Sequence, residues 1–254
     1  MSPKYPVTGV TAPGSGARSE KSEKSHIGRL ARRVRDSARH TFHSVQLRQG
    51  LSALERTLQA GRQPKVGLLE RLVHGWGNEA WGASSLFLGA MLEWLPRTSD
   101  SIVECGSGLS TLLLAAAALL VDRPVHSLEH EEKWATLVMR RLPERWKTAV
   151  SVRTTPLRSY GEFDWYAFDP AILSAPIGFV VCDGPPASTR GGRYGLAPIL
   201  GNRFEPGCII MLDDTQRRAE RAIVNRWCRE LGAAVVQEGG TFTVLRVGTS
   251  RRPI

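Results

Sequence analysis

Two carboxylates flank a pair of glycines at a spacing that could hold a nucleoside. Glu104 stands two residues before Gly106 in the stretch SIVECGSGLST (Ser101 to Thr111), and Glu129 closes the next apolar run, 21 residues after Gly108. Glycine lets the backbone turn with positive φ and approach a ligand with no Cβ in the way. A helix that opens straight out of such a turn presents free N–H groups to the same ligand. An acid about 20 residues further on is where folds of this kind bind the two hydroxyls of a ribose.

These residues need a strand, a glycine loop, a helix and a second strand to position them. Ile102 and Val103 read as a short buried strand, Gly106 and Gly108 as a tight turn, Leu109 to Val121 as the helix and Val125 to Glu129 as the next strand. Two nucleoside cofactors compete for that geometry. A dinucleotide fingerprint asks for a third glycine at position 111, where this chain has Thr111. A carboxylate about 6 Å from a phosphate charge costs roughly 3 kcal/mol at an effective dielectric near 20, so Glu104 disfavours a pyrophosphate. The same acid suits the amino group of a methionine moiety. The residues therefore favour S-adenosylmethionine, with Glu104, Gly106, Gly108, Ser110, Thr111, Glu129 and His130 as its candidate contacts. The ordinary alternative is a glycine turn that only joins a strand to a helix.

The order ECGSGLST, SLEH (Ser127 to His130), VVCDGPP (Val180 to Pro186) and IIMLDD (Ile209 to Asp214) resembles the class I S-adenosylmethionine-dependent methyltransferases over residues 67 to 248. The resemblance implies an α/β fold: a doubly wound, mostly parallel, seven-stranded Rossmann-like sheet, with the cofactor across the carboxyl ends of its strands. It implies no particular substrate. In such proteins the loop after the third strand, Val150 to Thr154, commonly supports the adenine, which makes Leu157 and Arg158 candidates. Segments before the first strand often lie over the cofactor, so Trp76 and Asn78 could roof the pocket. The competing reading has Trp76 and Trp81 filling a helix–sheet interface, as buried aromatics usually do.

Methyl transfer asks for little chemistry from a protein. Holding an acceptor in line with an activated methyl group can account for about 7 to 11 kcal/mol of barrier. What remains is deprotonating an oxygen or nitrogen nucleophile, the work of a carboxylate, a histidine or a metal. Asp183, at the end of the strand Ile177 to Cys182, is the first candidate for the base and a further cofactor contact; His130 is the second. Asp213 and Asp214 end the following strand, and neighbouring strands lie about 4.8 Å apart, so Asp183 and Asp213 could share a site. Clustered carboxylates raise one another's pKa or hold a cation, so a divalent cation is conceivable, although no metal ligand set is assigned. The ordinary role for Asp214 is to cap a helix over Thr215 to Leu231. Arg190, Arg193 and Tyr194 lie where an acceptor could reach them, and an arginine there would suit a carboxylate or phosphate.

Charge divides the chain. Residues 1 to 66 hold 13 Lys/Arg against 4 Asp/Glu, whereas residues 67 to 254 hold 21 against 20. Residues 1 to 25 have too little apolar content to offset their ordering entropy and read as a disordered basic tail. Residues 26 to 66 read as a basic amphipathic helical segment. Ile27, Leu30, Val34, Ala38, Phe42 and Val45 form an apolar stripe that Gly50 interrupts, and Leu51, Leu54 and Leu58 resume it. Its ordinary role is packing on the catalytic domain. Contact with RNA, an anionic membrane surface or an acidic partner is the sharper alternative.

Residues 67 to 254 suffice for one methyltransferase domain with a full core. Cys105, Cys182, Cys208 and Cys228 have neither metal-ligand nor disulfide spacing and read as reduced residues of a cytoplasmic protein. The longest apolar run, Leu112 to Val121, is too short to span a bilayer. The expected function is methyl transfer from S-adenosylmethionine to an oxygen or nitrogen, with a small-molecule acceptor favoured. The alternatives are an RNA or protein methyltransferase guided by the basic helix and a non-catalytic nucleoside-binding module.

Overall fold

Alternation of buried strands with helices builds a sheet covered on both faces. The computed structural model describes residues 41–77, 82–173 and 175–248. The tail, most of the basic stripe, Asn78 and Trp81 lie outside the described residues. The compact unit begins at His43.

Three helices precede the sheet: α1, helical through residue 59, α2 (Val66–Trp76) and α3 (Ser85–Trp94). Leu47, Leu51 and Leu54, spaced to share one face of α1, are at most 3% exposed and join the main core cluster. Gly50 does not interrupt this helix. A Cβ there would stand 2.7 Å from Leu72 Cδ2, and one at Gly75 would stand 2.7 Å from the Leu47 backbone nitrogen. The two glycines let α1 and α2 approach closely, a tertiary demand that outweighs the modest propensity cost of an internal glycine. Glu55 fastens α1 further by accepting from Arg145 Nε at 2.7 Å and Trp146 Nε1 at 3.0 Å. Because Leu54 is wholly buried, Leu54→Ala is expected to lower unfolding free energy by about 2–5 kcal/mol in urea titrations, the usual cost of an internal leucine.

The strands are β1 (Ser101–Cys105), β2 (Val125–Glu129), β3 (Val150–Thr154), β6 (Ile177–Cys182), β7 (Phe204–Leu212), β8 (Ala234–Glu238) and β9 (Thr243–Arg246). They lie in the order β3-β2-β1-β6-β7-β9-β8, and only β9 runs against the rest. The chain winds outward from β1 to β3 and then returns to lay β6 on the other side of β1. This reversal opens a crevice at the carboxyl ends of β1 and β6, where ligands of doubly wound sheets bind.

β1 and β6 are buried along their whole length. Glu104 shares the face packed by α4 (Leu109–Val121) and α5 (Glu132–Arg141). Cys105 and Cys182 share the opposite face with α6 (Leu196–Leu200) and α7 (Arg218–Glu230). The loop expected after β3 contains an antiparallel hairpin, β4 (Leu157–Ser159) with β5 (Asp164–Tyr166). Trp165 and Tyr166 are both wholly buried on the second face.

Candidate active site

The glycine loop is held from below by the acids that surround it. Gly106 turns at φ +87°, and a Cβ on it would collide with the Gly184 backbone nitrogen at 2.7 Å. Gly108 differs: its backbone is extended, and a Cβ there would meet nothing nearer than Ser110 Oγ at 4.0 Å. The first glycine is required by the fold, while the second leaves open space in front of the N-terminus of α4. Such a cradle fits a ligand that approaches the backbone closely.

Glu104 lies beneath this loop, wholly buried. One oxygen, Oε2, accepts from Thr111 Oγ1 at 2.6 Å and Ser127 Oγ at 2.5 Å, and Thr111 Oγ1 in turn accepts from the Gly108 N–H at 2.8 Å. Thr111, which stands where a dinucleotide site would have its third glycine, thereby locks the loop to the acid. Oε1 of Glu104 has no hydrogen-bond partner among the described residues. Desolvation pushes its pKa up to about 7, opposed by the hydroxyls of Ser127, Thr111 and Ser110. An ammonium arriving at this orphaned oxygen would favour the ionised carboxylate that burial disfavours, so the residues present suit S-adenosylmethionine.

The sign of the Glu104 effect can be checked. Its folded pKa lies above its unfolded value, so between about pH 4.5 and 7 the folded chain holds a proton that the unfolded chain has lost. Stability therefore falls as pH rises through that window. Glu104→Gln is expected to raise the melting temperature of the ligand-free protein at pH 8 and to flatten its pH dependence, by an effect on the order of 3 kcal/mol. Equal melting curves for the two proteins from pH 5 to 8 would contradict this.

Glu129, at the end of β2, is 3% exposed. Its Oε2 accepts from the Ser107 N–H at 3.0 Å and Ser107 Oγ at 2.9 Å; its Oε1 accepts from the Glu131 N–H at 2.9 Å. His130 Nδ1 lies 2.9 Å from the same Oε1. His130 and Glu131 precede α5 rather than forming its first turn. Ser107 was not singled out from the sequence, although it sits between the two glycines. Trp134 was missed as well: its Nε1 donates to the Ser107 carbonyl at 2.7 Å, and nothing in its sequence position signals this. Trp76 meets Trp134 edge-on at 6.0 Å and is 2% exposed beneath the Arg141 guanidinium. It backs the residue that supports the loop, in keeping with the interface role and not with a roof.

At the ends of β6 and β7 the structure joins Asp183, Asp213 and Asp214 through one side chain. Arg193 is 2% exposed; its Nη2 donates to Asp183 Oδ1 at 3.0 Å and Asp214 Oδ2 at 2.7 Å, and its Nη1 donates to the Asp213 carbonyl at 2.6 Å. Sequence reasoning placed Arg193 as a contact for an acidic acceptor. The structure corrects this, because both terminal nitrogens are already spent, one on the Asp183 and Asp214 carboxylates and the other on the Asp213 carbonyl. Arg190 is likewise engaged, by Ser159 and Asp164, and Tyr194 donates to Glu230 under the Arg226 guanidinium. Arg158, proposed beside an adenine, is exposed and lies over the Tyr160 ring.

Asp214 is not a helix cap. The helix α7 starts at Arg218, four residues later, with no side-chain cap, and Asp214 turns at φ +62° while pairing with Arg193 and with Arg217 at 2.8 Å. Asp213 is pushed up to about 7, first by burial and then by the Asp183 charge. Burial also raises Asp183, against the pull of Arg193. Among the described residues no cluster of three or more His, Cys, Asp or Glu side chains is arranged to hold a metal. The guanidinium already stands between the acids, so this donor set does not fit a divalent cation.

No family model and no curated protein matches the chain. Among solved structures, an O-methyltransferase from Bacillus cereus in complex with SAH is similar at 18% identity and a TM-score of 0.50, covering 77% of this chain and 97% of that one. A protein from Staphylococcus aureus assigned as a caffeoyl-CoA O-methyltransferase is similar at 13% identity and a TM-score of 0.51, over 75% of this chain and 96% of that one. The chain has the Rossmann-like fold of the class I S-adenosylmethionine-dependent methyltransferases. No helix among the described residues is long and apolar enough to cross a membrane.

Proposed function

We propose that the protein transfers the methyl group of S-adenosylmethionine to an oxygen or nitrogen of a small-molecule acceptor. The observation that carries the cofactor reading is the open space at Gly108, in front of α4, on a loop that Thr111 ties to Glu104 and Ser107 ties to Glu129. When bound, the cofactor supplies a sulfonium-activated methyl group. Glu129 would take the ribose hydroxyls by releasing Ser107 Oγ, Glu104 and Ser110 would face the methionine end, and Thr111 would keep the loop in register.

The Asp183 and Gly184 N–H groups both bond to the Cys105 carbonyl, which fixes the corner over the end of β1. Asp183 would then stand beside the transferring end, and its raised pKa makes it a better proton acceptor than an ordinary carboxylate. Asp213 replaces His130 as the second candidate base, since the His130 ring lies against Glu129. No step is assigned to a metal.

The partly exposed carboxylates of Asp183 and Asp214 are matched by Arg193 and by the half-exposed Arg217. These residues leave no surplus positive charge to hold a phosphodiester backbone, which favours a small molecule over RNA as the acceptor. Four unpaired cysteines, three of them buried, support a reducing cytoplasmic setting. Residues 26 to 42, outside the main unit, are left as the candidate contact for a nucleic acid, an anionic surface or an acidic partner.

Calorimetry with S-adenosylmethionine, S-adenosylhomocysteine and NAD tests the reading. Saturable binding of the first two without the third is expected. Tight binding of NAD alone would replace this assignment with a dinucleotide site.

A further inference from the structure

A buried phenol lies where the two halves of this site meet. Tyr166 is wholly buried at the end of β5, and its hydroxyl has no hydrogen-bond partner among the described residues. A Cβ built on Gly184 would stand 2.5 Å from that oxygen and 2.9 Å from Gly106 Cα. The phenol therefore touches the line along which the glycine loop meets the Asp183–Gly184 corner. It also lies within electrostatic reach of Glu129 and of Arg193.

Both of those neighbours are occupied. Glu129 accepts from Ser107 and Glu131, and the terminal nitrogens of Arg193 are given to acids and a carbonyl. A buried tyrosine hydroxyl ordinarily finds a partner, and leaving one without is costly. The hydroxyl lies at the seam between the loop whose Ser107 bonds Glu129 and the corner that carries Asp183, and a cofactor spanning the two would bring its sulfur-bearing segment to this seam. A phenol oxygen accepts as well as donates, and its proton rotates to suit.

We propose that Tyr166 is a positioning residue for the sulfonium: its hydroxyl oxygen faces the positively charged methyl-bearing sulfur of bound S-adenosylmethionine and holds it between Glu129 and Asp183. This rests on the cofactor reading above. A neutral oxygen attracts a cationic sulfonium in a water-poor site more strongly than it attracts a thioether. Tyr166 would therefore favour the methyl donor over its demethylated product, which a merely structural tyrosine would not do.

Tyr166→Phe keeps the ring and its packing and removes only the oxygen. Calorimetry of the full chain with the donor and the product separately is the test, alongside the ligand-free melting temperature. The expected result is about ten-fold weaker binding of S-adenosylmethionine, less than two-fold change for S-adenosylhomocysteine, and a ligand-free melting temperature that is unchanged or higher. Equal weakening of both ligands, or no change in either, would overturn the proposal while leaving the cofactor reading intact. A wild-type protein that binds neither ligand would sink that reading, and this inference with it.

Discussion

Gly108→Val abolishes binding of S-adenosylhomocysteine, with affinity lowered at least about 100-fold, and leaves the melting temperature within a degree or two of wild type. The backbone at Gly108 is extended, so valine adopts it without strain, and the new side chain projects into open space that only a ligand would fill. Gly106→Ala gives the opposite pattern. Its Cβ would press on the Gly184 backbone nitrogen at 2.7 Å from a left-handed conformation, so the loss falls first on stability, by about 1–3 kcal/mol, with binding weakened as a consequence. Calorimetry and thermal melts on the two variants distinguish these effects. If Gly108→Val binds normally, the cofactor does not lie against this loop.

Asp183→Asn is expected to lower turnover by about 10² to 10⁴ once an acceptor is in hand, while S-adenosylhomocysteine binding and the melting temperature stay close to wild type. In the wild type the rate rises with pH as the base ionises. Because burial raises Asp183, that rise should fall above the usual carboxylate range, and it should vanish in the variant. Exhaustive chelation should leave wild-type turnover unchanged, since a guanidinium stands between the acids. Loss of activity on chelation, restored by magnesium, would show that Arg193 yields its place to a metal. Full activity of Asp183→Asn would move the proton to Asp213 or leave orientation alone as the source of catalysis.

The contrast between Asp183 and Arg193 shows where sequence reasoning stops. An aspartate at the end of a buried strand can be placed from local patterning, because strand length and the glycine that follows fix where the chain leaves the sheet. Arg193 lies in a connection where neither period nor turn chemistry fixes the direction of a long side chain. Only the assembled edges of β6 and β7 supply the three acceptors that bury it.

Glu104, Gly106, Gly108 and Glu129 were legible for a local reason: a strand, a tight turn and a helix leave them few alternative positions, and the 21-residue interval to Glu129 is one helix and one strand long. The seven-stranded, mostly parallel sheet followed from the family resemblance and not from periodicity, and its strand order came only from the structure. The sequence could not show that Gly50 continues its helix, because the reason is the Leu72 side chain on another helix. Nor could it show that Asp214 serves Arg193 instead of capping α7, or that Tyr166 leaves a hairpin to end beneath the glycine loop. The sequence by itself determined which backbone could come close to a ligand and which acids would stand near it. Tertiary structure alone decided which of those groups are already paired and which keep an unpartnered atom, because a side chain's partners are set by contacts between segments far apart in the chain.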